Sequence, residues 1–306
     1  MKEIYHRVMK KNIIKIEHPK KTHMVGDGFR VSQYIPGYGE EMNQGTSPFL
    51  MLDYNAPWQV PPQRWYRPWV WFHPHRGFET VTIVYSGEIE HQDTAGNGWV
   101  IWADEVQWMT AGSGLLHNEF MTANFCQKWG IQHAIQLWIN LPKKYKMTPP
   151  KYQALTRESI PEVPFDWWFV RVIAGNMSIQ DSERNMENYK GIASTFTPVE
   201  LYDVRFKEEG NIQILIPENY TTIVLVTEGK IIMNGKELVT GDIAYLTRWG
   251  TEISLSSLVN AKILVMAWEP IDEEISHYGP FVMNTQEEIE QAFIDLREWK
   301  MWNTNL

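Results

Sequence analysis

Two short pairs of residues could do chemistry in this chain: His73 and His75, on either side of Pro74, and His117 and Glu119, on either side of Asn118. In an extended strand, side chains at i and i+2 point to the same face. Each pair therefore projects together if its backbone is a strand. If the two strands face each other, three imidazoles and one carboxylate converge on one point. That donor set suits a first-row divalent ion, and an octahedral ion would keep two positions open for exogenous ligands. His-x-His alone does not establish such a site. The chain holds nine histidines, and an isolated one is more often a surface or hydrogen-bonded core residue. The later His-x-Glu, preceded by Gly112 and Gly114, strengthens the metal reading. Spacing goes no further than that.

The elements that would position these residues read as strands. Val81, Ile83 and Tyr85 alternate with Thr82 and Val84, residues 93–98 are a turn, and Trp99 to Trp102 resume the ladder. A second strand-rich block repeats the first weakly: the run from Thr222 to Gly229 matches that from Thr82 to Gly87 with two extra residues. Many short strands with turn signals in each half predict an all-β chain of paired barrels or sandwiches. The ligands do not repeat. Leu215, Pro217, Ser254 and Ser256 align with His73, His75, His117 and Glu119. The second half is therefore expected to hold no metal.

Prolines at 142, 149, 150, 161 and 164 predict a linker over 146–165, since proline denies the backbone both helix continuation and ladder hydrogen bonds. The domain boundaries expected are 1–145 for the metal-binding domain, 166–280 for its partner, and 281–306 for a C-terminal helix. Thr285 to Glu288 is a capping-box pattern, after which Ile289, Ala292, Phe293 and Leu296 share one helical face. This face is expected to pack on the body of the protein. Residues 1–22 read as a basic edge strand with a short arm. Residues 57–71, with four prolines and four tryptophans, predict an ordered loop held by aromatic packing. Its rings would plug a core gap or an interface, or lie over the metal pocket as a lid.

At 306 residues the chain is long enough for two domains. Its 43% hydrophobic and 21% charged residues indicate a globular protein. The net charge of −9 argues against a direct nucleic-acid partner. The single cysteine, Cys126, excludes an internal disulfide and fits a reducing cytoplasm. With no apolar run long enough to span a bilayer, the expectation is cytoplasmic, without a membrane partner.

The run from His73 to Thr82, Gly87 to Asp93, Val106 to Gly114, Gln136 to Pro142, Pro150 to Gln153 and Tyr278 to Thr285 together resemble the pirin family, across nearly the whole chain. The resemblance implies two cupin jelly-roll β-barrels in tandem with a C-terminal helix. It also implies that His73, His75, His117 and Glu119 are metal ligands. Fe(II) is favoured, with nickel, manganese, copper and zinc also compatible with the donors. In the broader cupin pattern the glutamate after His-x-His is itself a ligand. Glu79 is assigned here instead as a group behind the ligands that orients a histidine. Several pirins open flavonols such as quercetin with dioxygen, which implies a metal dioxygenase acting on an aromatic chelating small molecule, with Glu119 as general base. Other pirins act by binding partner proteins, which implies an alternative: an iron- or redox-responsive regulator without turnover. His91, Arg76 and Gln107 are read as structural.

Overall fold

The computed structural model describes residues 9–19, 21–36, 45–63, 66–180 and 186–301. The chain forms two compact units. One comprises residues 20–159 with 271–306, and the other residues 1–19 with 160–270. Among the described residues, no helix is long and apolar enough to cross a membrane.

The first unit contains eleven strands before its C-terminal additions. They are β1 (His23–Val25), β2 (Phe29–Ile35), β3 (Phe49–Val60), β4 (Trp69–His75), β5 (Phe78–Ser86), β6 (Ile89–Asp93), β7 (Gly98–Ile101), β8 (Val106–Thr110), β9 (Leu115–Met121), β10 (Gly130–Asn140) and β11 (Lys151–Leu155). They form a seven-stranded sheet in the order β11-β8-β5-β10-β3-β2-β1 and a four-stranded sheet in the order β4-β9-β6-β7. All these pairings are antiparallel. The helix Gln286–Arg297 belongs to the same unit. Thr285 caps it in a complete capping box with Glu288, as the sequence predicts. Its Ile289 and Ala292 pack with Leu116, Phe281 and Met283, and Phe293 and Leu296 join them. Arg76, buried at the corner after β4, donates to the Ser113 carbonyl at 2.6 Å and to Asp295 of this helix at 2.8 Å.

The second unit repeats the seven-plus-four arrangement. Its interior is a continuous apolar cluster that includes Val172, Tyr202, Phe206, Ile214, Val224, Ile253 and Val265. The positions aligned with the ligands lie outside this interior: Leu215 is exposed, and Ser254 and Ser256 are half-buried.

Two boundaries differ from those expected. Strand Ile13–Glu17 pairs with Ile243–Leu246, so the N-terminal arm is an edge strand of the second unit, not of the first. The pairing is long-range in sequence and leaves no local signal. The segment expected to be linker over 146–165 begins inside the first unit. Lys146 is buried with its amino group donating to the carbonyls of Gly77 and Val282 and to Asn140. Residues 151–155 pair in unbroken register with 106–110.

The proline-rich stretch is not one loop either. Pro57 lies inside β3 and Pro74 inside β4. Pro57 sits where the β3–β10 register shifts between Trp58 and Asn55, a bulge that needs no donor at that position. Pro74 lies on an edge strand, where a missing N–H is tolerated. Residues 61–63 and 66–68 connect the two strands, and 64–65 lie outside the described residues. Trp58 packs with Val60, Met121, Phe125 and Cys126. Trp69 contacts Trp71 and stacks on Phe120.

Candidate metal centre

His73 and His75 leave β4 on one side, and β9 lies beside them in antiparallel register, with His117 directly opposite His73. The three imidazoles meet with ring centroids 4.3 to 4.9 Å apart. One nitrogen from each ring falls in a group whose members all lie within 4.8 Å of one another.

The hydrogen bonds fix which nitrogens are free. Nδ1 of His73 lies 2.7 Å from the Trp71 carbonyl, which can only accept, so the proton is on Nδ1 and the Nε2 lone pair is available. Nε2 of His117 is buried with no hydrogen-bond partner, while its Nδ1 meets Nε2 of His91. Burial lowers the pKa of His73, and it drives those of His75 and His117 well below the ordinary value, reinforced by neighbouring imidazoles. The cluster is therefore neutral near pH 7, the state in which imidazole donates a lone pair to a metal. Burial pushes His91 down to about 3, which leaves it neutral and able to accept the His117 Nδ1 proton. A metal-binding histidine characteristically donates its second nitrogen in this way. An orphaned buried Nε2 inside a compact group of neutral imidazoles is what a metal ion would satisfy.

Glu119 follows His117 on β9, past a shift in the β4–β9 register, and lies opposite His91 of β6. It is buried and lines a cavity together with His73 and His75, and desolvation raises its carboxyl to about 7. The compact nitrogen group itself consists of the three histidines.

Among the described residues, Glu79 makes no hydrogen bond to a histidine. The Thr110 hydroxyl donates to it at 2.6 Å, and burial raises its pKa to about 7 against the hydrogen bonds that favour the anion. Glu79 is not on the strand of His73 and His75: Arg76 and Gly77 separate β4 from β5, and Glu79 lies on β5 in the other sheet. The residue behind the cluster is His91, which sequence reasoning took as structural. Its only sequence signal is its neighbourhood with Glu90 and Asp93, and the contact depends on β6 pairing with β9.

The cavity beside the cluster encloses about 620 Å³ of atom-free space, its open mouth included. Apolar side chains, among them Phe29, Val31, Met51, Ile89, Ile135 and Trp138, make up most of its lining. Trp138 meets His75 edge-to-face at 5.2 Å. Of the described residues in 57–71, only Val70 reaches the lining. Among the described residues the aromatic wall is Phe29 of β2 and Trp138 of β10.

Residues 28–139 match the family model described as Pirin, and residues 201–302 match that of the Pirin C-terminal cupin domain. The chain belongs to the pirin family. Its two units carry the family's two cupin domains. A Pseudomonas aeruginosa protein provisionally named quercetin 2,3-dioxygenase is 40% identical over 93% of this chain and 96% of its own length. A crystal structure of quercetin 2,3-dioxygenase from Acinetobacter baumannii is 40% identical and aligns with a TM-score of 0.86, covering 96% of this chain and 99% of that one. A bacterial pirin from Escherichia coli, solved in complex with nickel(II), shares the fold at 20% identity and a TM-score of 0.60, over 84% of this chain and all of that one.

Proposed function

We propose that this pirin is a metal-dependent dioxygenase that opens a flat, chelating aromatic substrate of the flavonol type. The carrying observation is the three-histidine cluster with its orphaned Nε2, beside Glu119, on a mostly apolar cavity. The names of the P. aeruginosa and A. baumannii relatives support the substrate class.

His73, His75 and His117 would hold the ion, with Glu119 as the fourth donor, and Fe(II) is the ion proposed. The ion, when bound, would supply Lewis acidity toward the substrate's hydroxyl–carbonyl pair and a route to dioxygen chemistry. The chain's own part is to bind, orient and keep dry. Phe29, Ile135 and Trp138 present apolar surface to the aromatic rings, which excludes water from the reacting end. Glu119 would take the proton from the substrate hydroxyl as it ionises. His91 holds His117 in the tautomer that leaves Nε2 free.

The test is to load the protein anaerobically with Fe(II), admit oxygen, and follow quercetin loss with release of carbon monoxide. Stoichiometric carbon monoxide is the expected result. No turnover with iron, nickel, manganese, copper or zinc would overturn the proposal.

A further inference from the structure

The cavity has a second polar end that metal binding does not use. Across four neighbouring strands of the seven-stranded sheet, β2-β3-β10-β5, the register aligns Gln33 with Asp53, Asp53 with Gln136, and Gln136 with Thr82. Cross-strand neighbours share a face, and Asp53, Asn55, Thr82 and Gln136 all line the cavity that His73, His75 and Glu119 also line. The histidines belong to the four-stranded sheet and this strip to the seven-stranded one.

Within the strip, two acceptor oxygens are left over. Gln33 Nε2 donates to Asp53 Oδ1 at 3.0 Å, and no other hydrogen bond is made by this carboxylate among the described residues. Asn55 Nδ2 donates to the Arg30 carbonyl at 3.1 Å. A carbonyl can only accept, so the amide orientation is fixed and Oδ1 is the free atom. That oxygen is buried with no partner. Both residues are at least nine-tenths buried, Asp53 5% exposed and Asn55 3%. Thr82, by contrast, donates to Gln136 at 2.6 Å. Burial raises Asp53 to about 6, so at neutral pH it is a mostly ionised acceptor in apolar surroundings. Buried acceptors without donors are costly. Asn55 Oδ1 is such an acceptor, and Asn55 and Asp53 both line the one cavity, which suits a ligand that brings donors.

We propose that Asp53 and Asn55 form an acceptor wall that selects substrates bearing phenolic hydroxyls beyond the chelating hydroxyl–carbonyl pair. This deepens the dioxygenase reading and rests on it for the word substrate, but the wall itself is a property of the cavity. A purely apolar cavity would favour the less hydroxylated ligand, because burying each hydroxyl without a partner is unfavourable. With the wall, the order reverses, since sites built to hydrogen-bond a hydroxyl reject analogues that lack it.

The discriminating pair is quercetin and 3-hydroxyflavone, which share the chelating pair and differ in the remaining hydroxyls. Their dissociation constants are measured calorimetrically on the metal-free protein, where only the cavity contributes, and again with the ion bound. The wild type is expected to bind quercetin at least tenfold more tightly than 3-hydroxyflavone in both forms. In Asp53→Leu that ratio should fall to one or below, and in the near-isosteric Asp53→Asn it should fall in the same direction. Metal content of each variant checks that the histidine end is intact. An unchanged ratio in both variants, or no preference in the wild type, overturns the acceptor wall. If the preference holds but no ion supports turnover, the wall stands and the dioxygenase reading falls. If neither flavonol binds, both fall.

Discussion

Glu79 and Glu119 are both buried carboxyls raised to about 7, in different company: Glu79 accepts from Thr110 in the wall of the barrel, whereas Glu119 faces the cavity beside the histidines. Metal content should therefore separate them. Glu119→Gln is expected to lower affinity at least tenfold and Glu79→Gln to leave it within a few-fold, as read by metal analysis after dialysis. Loss of metal in the Glu79 variant alone would reverse the assignment. Glu79 should also leave a mark on stability. Its folded pKa lies above the ordinary 4.5, so the unfolded chain holds fewer protons between about 4.5 and 7. Its contribution is greatest below 4.5 and is lost as pH rises through 7, a change of about 3 kcal/mol at most. Glu79→Gln should flatten the pH dependence of urea unfolding over that window. The ligand spacing was legible in sequence because His-x-His and His-x-Glu are local. His91 was not, because its role depends on which strand lies beside β9.

At the level of elements, the capping box at Thr285 and the apolar face after it could be read directly, since helix signals lie within a few residues. Strand partners are a different matter. The breaker rule applied to residues 57–71 missed the end of β3, where a bulge accommodates Pro57, and the start of β4, which follows Pro68. Gly77, between β4 and β5, shows what those ends require. Its φ is +86°, and an added Cβ would lie 2.0 Å from the Val282 carbonyl oxygen. Gly77→Ala is expected to cost upwards of about 2 kcal/mol in urea unfolding. It should weaken metal binding too, because His75 stands two residues upstream. The N-terminal strand makes the opposite prediction. Ile13–Glu17 completes the second unit, and Lys11 donates there to the carbonyls of Thr247 and Arg248. Removal of residues 1–19 should destabilise that unit while the histidine cluster keeps its metal affinity. A truncated protein that no longer binds metal would contradict this division of the chain.

For the molecule as a whole, one strand arrangement serves two purposes. The second unit closes over an apolar interior, and the first leaves space between its sheets and lines it with buried histidines and carboxyls. Folding the first unit must therefore bury groups whose best partner is an ion and a ligand, whereas the second packs a continuous apolar cluster. A ligand that binds only the native state stabilises by RT ln(1 + [L]/Kd), about 2.7 kcal/mol at a hundredfold excess over Kd. Divalent metal should thus raise the calorimetric transition of the unit containing residues 20–159 by several degrees and leave that of the 160–270 unit in place. A chelator should reverse the shift, and His117→Ala should abolish it. Uniform stabilisation of both transitions would mean that the ion acts somewhere other than the three-histidine cluster.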